Sequence, residues 1–273
     1  MMKRVITCVF VAGLFLAGAT AAEAQYGVPG SSQRAIGETY WVEVMGGLWS
    51  PAPQGLIQSA QFGIPGDEID FVDDLGYEKK TFKDFRFVLR PGRKHKLRLQ
   101  YVPVSYSSEA VFERRIVFNG QEYAVGLPVT TQFDWKVWRF GYEWDFVSRE
   151  NFFVGFIIEA KYTHIEAELD SPAHEVPEFT RAKAPIPSLG GVVRFYPVPN
   201  GSVTFELTGI KIPRIDDKYE AKYIDWDLYG TYNITNNFGA TAGYRVMDVM
   251  FLADRDGGQM TLKGFYIGAI ARF

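Results

Sequence analysis

The chain has 273 residues with 29 basic and 32 acidic side chains, a net charge of −3, and one cysteine, Cys8. This slightly acidic balance, without a basic cluster, excludes the electrostatic footprint of a nucleic-acid-binding protein. Cys8 falls in a predicted leader, so we expect a mature chain without disulfides, cysteine-based metal sites or cofactors.

The first 24 residues predict a secretory signal peptide. Lys3 and Arg4 form a basic start, residues 5–17 are apolar, and residues 22–24 read Ala-Glu-Ala, a small-x-small cleavage site. The apolar run is shorter than the roughly 20 residues that a membrane-spanning helix needs. Export would therefore release a chain beginning at Gln25, and losing two basic residues and one acidic residue leaves a net charge of −4.

The body of the chain predicts an all-β protein, because 16% of all residues are aromatic, 27 are Gly, and helical patterns are few. No linker divides it, so we expect a signal peptide (1–24), a short N-terminal periplasmic segment (25–37) and one domain (38–273). About ten segments alternate in character, beginning at Tyr40. Between residues 138 and 146, for example, Trp138 and Phe140 share one face while Arg139 and Glu143 share the other.

The distribution of charge predicts an antiparallel up-and-down transmembrane β-barrel of about ten strands, with eight or twelve left open. Nine basic and eight acidic residues fall on the polar face, opposite an apolar face rich in aromatics. A soluble lipocalin-like barrel is the alternative, but its apolar residues would face inward. The predicted lumen charges are Glu43, Arg86, Arg98, Arg139, Glu143, Glu159, Lys161, Arg194, Glu206, Asp225, Asp227 and Arg245, and the others on this face are Asp84, Arg90, Lys96, Asp145 and Arg272.

Connection lengths predict which end of the barrel faces the periplasm, since outer-membrane barrels have short periplasmic turns and longer outer loops. Short connections at residues 91–94, 147–151, 197–201 and 235–237 alternate with longer ones at 51–79, 171–184, 213–218 and 254–259. The exception is Asn119-Gly120, a type I′ hairpin signal whose flanking strands should project beyond the membrane. The apolar residues Phe62, Ile64, Ile69 and Phe71 predict that the longest loop folds over the barrel mouth.

Two sets of aromatic residues indicate membrane placement and assembly. Outward-facing Trp138, Trp144, Phe146, Trp226 and Tyr232 predict an interfacial girdle. Gly264, Phe265, Tyr266, Ile267 and the terminal Phe273 resemble the C-terminal strand signal of bacterial outer-membrane barrel proteins, although Ala269 and Ala271 replace bulkier residues. The resemblance implies recognition by the barrel-assembly machinery, with outer-membrane lipid and lipopolysaccharide as further partners. We expect a monomer.

The sequence leaves three functional hypotheses. At about ten strands we expect paired charges, such as Glu143 with Lys161, to fill the lumen of a structural or surface-binding protein. A narrow channel is the alternative. The strand number also resembles omptin proteases, which use acidic pairs and a His at the outer rim. Here Asp73-Asp74, Asp216-Asp217, His164 and His174 would be the candidates, but Asp is common in turns, and we predict no catalytic residue and no metal site.

Overall fold

The computed structural model describes residues 35–58, 66–118, 120–126, 128–171, 178–215, 219–253 and 256–273. These residues form thirteen strands: β1 (Val42–Gln58), β2 (Ile69–Asp70), β3 (Phe82–Gly92), β4 (His95–Val111), β5 (Ile116–Phe118), β6 (Gln121–Tyr123), β7 (Pro128–Ser148), β8 (Phe152–Asp170), β9 (Glu178–Val198), β10 (Gly201–Ile215), β11 (Tyr219–Asn233), β12 (Phe238–Ala253) and β13 (Asp256–Arg272). In this described part, no helix is long and apolar enough to cross a membrane.

Ten of the described strands form one closed antiparallel barrel. Each barrel strand pairs with the next one in chain order, and β1 pairs with both β3 and β13, which closes the sheet. β2 adds a short extra strand beside β1, and β5 and β6 form a separate hairpin. Gly120 adopts a left-handed φ of 81° in that hairpin, as a type I′ turn requires. The predicted all-β, up-and-down barrel of about ten strands is confirmed.

The two ends of the barrel differ. At one end, called the turn end below, four short turns join β3 to β4, β7 to β8, β9 to β10 and β11 to β12. The first and last strands also meet there, since the Trp41 amide donates to the Phe273 carbonyl over 2.7 Å. The opposite end, called the loop end, holds the segment 66–81 and the β5–β6 hairpin. The short turns thus lie where the sequence predicted them.

Several strands are longer than the sequence predicted. β1 continues through Pro51 to Gln58, β9 begins at Glu178, β10 extends to Ile215 and β13 begins at Asp256, so the loops predicted at these places are partly strand. Pro and Gly weaken a local strand pattern, but here a neighbouring strand supplies backbone partners that outweigh local preference. The first strand also begins later than predicted: β1 begins at Val42, and Tyr40 precedes it.

The barrel changes polarity along its axis. Toward the turn end, β7 points Arg139 and Glu143 inward and Phe140 outward, whereas toward the loop end it points Trp135 inward and Gln132 outward. The same exchange occurs at matching register positions of β4 and β8. The half near the turns therefore has a polar interior and an apolar exterior, as a lipid-embedded barrel does. The other half has the apolar interior and polar exterior of a barrel in water.

Candidate functional site: a charged and closed lumen

The lumen of the turn-end half is filled with charged side chains. The structure points all seventeen charges of the predicted polar face into this space, and many are almost completely buried, including Lys161, Arg245 and Asp145. One further acidic residue, Glu38, joins them from outside the strands. The interior therefore holds nine basic and nine acidic side chains, and its formal charges balance.

Ion pairs connect these eighteen side chains. The long network runs Lys161, Glu159, Arg139, Asp225, Arg245, Asp84, Arg86, Asp227. The short network runs Asp145, Lys96, Glu143, Arg98, Glu206. The remaining groups are Glu38 with Arg90 and Arg194, and Glu43 with Arg272. A buried charge is tolerated when it is paired and hydrogen-bonded, and here every member has an opposite charge within 4 Å.

Arginine dominates this interior because its planar guanidinium can bind two oxygens at once. Arg245 binds Asp225 through both Nη2 to Oδ2, at 2.7 Å, and Nε to Oδ1, at 3.0 Å. Arg139 reaches the same carboxylate over 3.0 Å and also contacts Glu159. Asp225 thus joins strands β7 and β12 through its two arginine partners.

Among the described residues, four ion pairs cross the lumen between strands that are not neighbours: Arg139 with Asp225, Arg245 with Asp84, and the two that follow. Arg98 of β4 contacts Glu206 of β10 over 2.5 Å, and Arg86 of β3 contacts Asp227 of β11 over 3.0 Å. Tyr229 donates to Glu206 as well, over 2.7 Å. A cavity of about 50 Å³ remains beside these contacts, which is room for a few water molecules. The cross-lumen pairs therefore occupy the path that a solute would take.

One predicted pairing is wrong. Glu143 and Lys161 belong to different networks: Glu143 contacts Lys96 and Arg98, whereas the ammonium of Lys161 lies 2.9 Å from Glu159. Neighbouring strands carry all these residues, but the stagger between strands decides which charges lie at the same height.

The turn end is covered by residues 35–40, called the N-terminal latch. Its backbone crosses to distant turns: the Ile36 amide donates to the Pro199 carbonyl over 2.7 Å, and the Asn233 side chain donates to the Ile36 carbonyl over 2.6 Å. Gly37 has a φ of 87°, and a Cβ there would lie 2.5 Å from Arg272 Nη1, so the crossing requires glycine. Residues 35–37 were expected in a short periplasmic segment before the barrel, and the structure places them across the opening at the turn end.

Glu38 anchors the latch inside the barrel and was missed by the sequence analysis, because it precedes the alternating pattern. Its carboxylate lies 3.1 Å from Arg90 and 3.3 Å from Arg194, and it accepts a short hydrogen bond from Tyr196. Burial alone would raise the pKa of this carboxyl, but Arg194, Lys96 and Arg90 lower it below its ordinary value. Glu38 is therefore held as an anion. Tyr40, where the first alternating segment was predicted to begin, instead belongs to the latch, and its ring is buried beside Arg90 and Arg272.

The loop-end half of the lumen is filled with apolar side chains. Inward residues of the walls form its core, with Trp49 and Trp135 completely buried and Tyr106 nearly so. The sequence analysis overlooked this core because it followed the alternation only through the charged stretches. The sequence does contain a signal for this core. Large apolar residues occupy adjacent positions at Tyr101-Val102 and Val137-Trp138, where the apolar residues of the strand switch from the outer face to the inner face.

Residues 66–81, called the lid, fold into this core as predicted for Ile69 and Phe71, while Phe62 and Ile64 lie outside the described residues. Ile69 is fully buried, and the Phe71 ring lies 5.2 Å from that of Phe133. Asp67 ties the lid to the β5–β6 hairpin, because its amide donates to the Val117 carbonyl and its carboxylate accepts from the Val117 amide. The lid and hairpin thus close the loop end.

The predicted girdle residues all lie on the outer face, in two rows. Trp144, Phe146 and Tyr232 lie near the turn end, and Trp138 and Trp226 lie near the level where the polarity changes. The Trp138 ring stacks on Tyr101 with centroids 4.3 Å apart. Their assignment as membrane anchors stays a prediction.

The residues of the predicted assembly signal lie on both faces of β13. Phe265, Ile267 and Phe273 are exposed on the outside, whereas Tyr266 points into the lumen and donates to Asp227 over 3.1 Å. The Gly264 carbonyl accepts a hydrogen bond from the Trp49 indole over 3.2 Å. Their recognition by an assembly machine stays a prediction.

The candidate hydrolase residues are not brought together in the described residues. His164 faces outward on β8, 3.8 Å from Glu166, whereas Asp74 in the lid accepts hydrogen bonds from Arg114 and the Asp70 amide. His95 lies at the turn end against Tyr142. His174 and the pair Asp216-Asp217 lie outside the described residues. Within the described chain, no group of three His, Asp or Glu residues is arranged to hold a metal ion.

Solved structures of bacterial outer-membrane barrels resemble this fold. The outer membrane protease OmpT from Escherichia coli aligns over 85% of this chain and 96% of its own, with 9% identity and a TM-score of 0.59. Ail, the attachment invasion locus protein of Yersinia pestis, aligns over 85% and 99% with 10% identity and a TM-score of 0.38. A FadL homologue from Pseudomonas aeruginosa aligns over 85% and 90% with 7% identity and a TM-score of 0.39.

No protein-family model matches the chain, and no curated protein matches it. The likeness to OmpT, at 9% identity, defines the fold alone. The chain has the fold of the bacterial outer-membrane β-barrel superfamily. The chain itself has a closed barrel of ten strands, the architecture that the sequence predicted.

Proposed function

We propose that this protein is an exported, monomeric outer-membrane barrel with a closed lumen and a structural or surface-binding role. The observation that carries the proposal is the filling of the lumen. Nine basic and nine acidic side chains pair in one half, and an apolar core occupies the other. Ten strands enclose an interior that side chains can fill, whereas channels with an aqueous path use many more strands.

Strand length supports a role at the outer surface. β7 and β9 have 21 residues each, which corresponds to roughly 70 Å of strand at about 3.3 Å per residue. At a tilt of roughly 40° the barrel wall is about 50 Å high, twice the apolar band of roughly 25 Å. The half with an apolar interior would project from the membrane and present the lid and hairpin to partners.

A planar-bilayer recording tests the closed lumen. We expect the folded protein, checked by resistance to trypsin before use, to produce no steady conductance steps. Stable, ion-selective steps would contradict the proposal and favour a narrow channel through the 50 Å³ cavity.

Location is tested by cell fractionation: the protein should sediment with the outer membrane and begin at Gln25, whereas recovery from the soluble periplasm would refute the membrane assignment.

A further inference from the structure

The turn end of the barrel contains a second cavity, which is larger than the one in the lumen. It has a volume of about 340 Å³ and lies between the latch and the turns that join β3 to β4 and β7 to β8. Three of the residues that line it, Arg93, Arg149 and Trp41, are exposed, so the cavity opens to solvent. Cavities of roughly 300–1,000 Å³ are typical of small-ligand sites.

The walls of this cavity are fixed by hydrogen bonds. Arg90 is buried and clamps the latch to the first turn, because its guanidinium donates to the Glu38 carbonyl and, over 2.9 Å, to the Arg93 carbonyl. On the other side, the Arg149 amide donates to the Phe152 carbonyl over 2.9 Å. Arg90 Nε is also buried and has no hydrogen-bond acceptor among the described residues, so it is free to bind one. A ligand would therefore meet a preformed site.

One positive charge in the lining is not balanced. The Arg90 guanidinium lies 3.1 Å from the Glu38 carboxylate, which offsets it. Among the described residues, the side chains of Arg93, Arg149 and Glu150 have no hydrogen-bond or ion-pair partner, and together they carry a net charge of +1. A single carboxylate balances that charge and suits a guanidinium, which can bind both of its oxygens. A phosphomonoester, at about −1.5 to −2, would exceed it.

Apolar side chains form the rest of the lining. Tyr40 and Phe153 are buried, and the Phe153 ring packs against Tyr196 with centroids 6.2 Å apart. Trp41 lines the same cavity and is 68% exposed. A ligand that joins an apolar group to an anion would cover this ring while it pairs the excess charge. The cavity therefore combines an anion-binding rim with an apolar wall.

We propose that this cavity binds the C-terminal end of a peptide whose last residue is apolar. Arg93 and Arg149 bind the terminal carboxylate, and Tyr40, Trp41 and Phe153 contact the last side chain. A peptide end carries one carboxylate and one side chain on the same carbon, which matches the single excess charge beside the apolar wall. The open side of the cavity leaves room for the preceding residues.

This site goes beyond the closed-lumen role. Binding itself depends only on the folded turn end, whereas the compartment of the partner depends on the proposed orientation. Because the turn end is predicted to face the periplasm, the peptide would belong to a periplasmic protein.

The test uses the peptide Ala-Ala-Ala-Leu, labelled with a fluorescent dye at its N terminus, as a free acid and as a C-terminal amide. Fluorescence anisotropy measures its binding to the mature chain folded in detergent. We expect wild type to bind the amide about tenfold more weakly than the acid, because the amide lacks the charge. Arg149→Gln should lose about tenfold in affinity for the acid and should no longer distinguish the acid from the amide.

Two further variants separate the rim from the apolar wall. Lys94→Gln is the matched control, since Lys94 is exposed on the same end and does not line the cavity, and its effect should be less than about twofold. Trp41→Ala should weaken the acid and the amide by the same factor, because it removes apolar contact and leaves the rim intact. Urea unfolding of each variant confirms that it is folded.

The outcomes that overturn the site are specific. Absence of binding, equal binding of acid and amide by wild type, or equal losses in Arg149→Gln and Lys94→Gln would each refute it. Binding of N-acetylleucine as tightly as the peptide would overturn the assignment to a peptide and indicate a small free acid instead.

The compartment is tested separately by labelling with a bulky maleimide that does not cross the outer membrane. Cys8 lies in the predicted leader, so an introduced cysteine is the only thiol of the mature chain. Lys94→Cys should react only after the outer membrane is permeabilised, whereas Arg115→Cys, on the exposed hairpin of the loop end, should react in intact cells. The reverse pattern would refute the periplasmic partner and the proposed orientation, and it would leave the peptide site itself unaffected.

Discussion

The two charges of one ion pair in the long network should be strongly coupled, so that removing both costs less than the two single removals added together. Lys161 is completely buried, and its ammonium lies 2.9 Å from Glu159 Oε1 and 2.9 Å from Thr208 Oγ1. Breaking a buried pair by removing one partner costs about 3–5 kcal/mol, because the other charge is left without compensation. Arg139 still contacts Glu159, so we expect Lys161→Met to lose about 2–3 kcal/mol, at or below the low end of that range.

The partner variant completes a double-mutant cycle. Glu159→Gln should cost about 3 kcal/mol, since it removes the acid that both Lys161 and Arg139 contact. The double variant should cost less than the sum by about 2 kcal/mol, because the second change removes the charge that the first one orphaned. Urea unfolding in lipid vesicles, followed by tryptophan fluorescence, measures all three.

The pair Arg115 and Glu122 is the matched control. It spans 3.5 Å, and its side chains are 68% and 57% exposed, so the same cycle there should give at most about 1 kcal/mol of coupling. The reasoning fails if the Lys161 and Glu159 losses are small and additive, especially with a changed reversal potential in bilayer recordings. That result would indicate hydrated charges in a water-filled lumen.

Three further predictions test the latch, the membrane boundary and the apolar core. Because the folded-state pKa of Glu38 is lowered, the stabilisation that its carboxylate gives the folded state should be complete above its ordinary pKa and decline as the pH falls below that value. The difference in unfolding free energy between wild type and Glu38→Gln should therefore narrow in acid titrations of unfolding. A constant difference would contradict this. Phe156→Arg, on the apolar outer face of the turn-end half, should cost about 2–4 kcal/mol if that half lies in lipid. Gln132→Arg, on the polar outer face of the loop-end half, should change stability by less than about 0.5 kcal/mol in the same vesicle assay, and similar losses would mean that the boundary is misplaced. Trp135→Ala should cost about 3–5 kcal/mol by opening a cavity, and Trp138→Ala, on the outer face, should cost less; equal losses would show that the core is loosely packed.

The site illustrates which contacts a sequence pattern can predict. Alternation is local, so it placed Arg139, Glu159 and Asp225 on one face without any knowledge of the fold. It could not pair Arg98 with Glu206, because those strands are separated in the sheet by three others. The wrong pairing of Glu143 with Lys161 has the same origin: adjacency was read from strand order, and the height of each charge in the lumen depends on stagger.

The sequence by itself determined the fold class, the strand faces and the positions of the short turns, because these follow from periodicity two and from turn residues. Only the tertiary structure decided how the lumen is closed. Glu38 completes the charge balance from outside every strand, and the lid fills a core that exists only once the walls surround it. Both are contacts between segments far apart in the chain, and their energies depend on barrel closure and register, which no local pattern encodes.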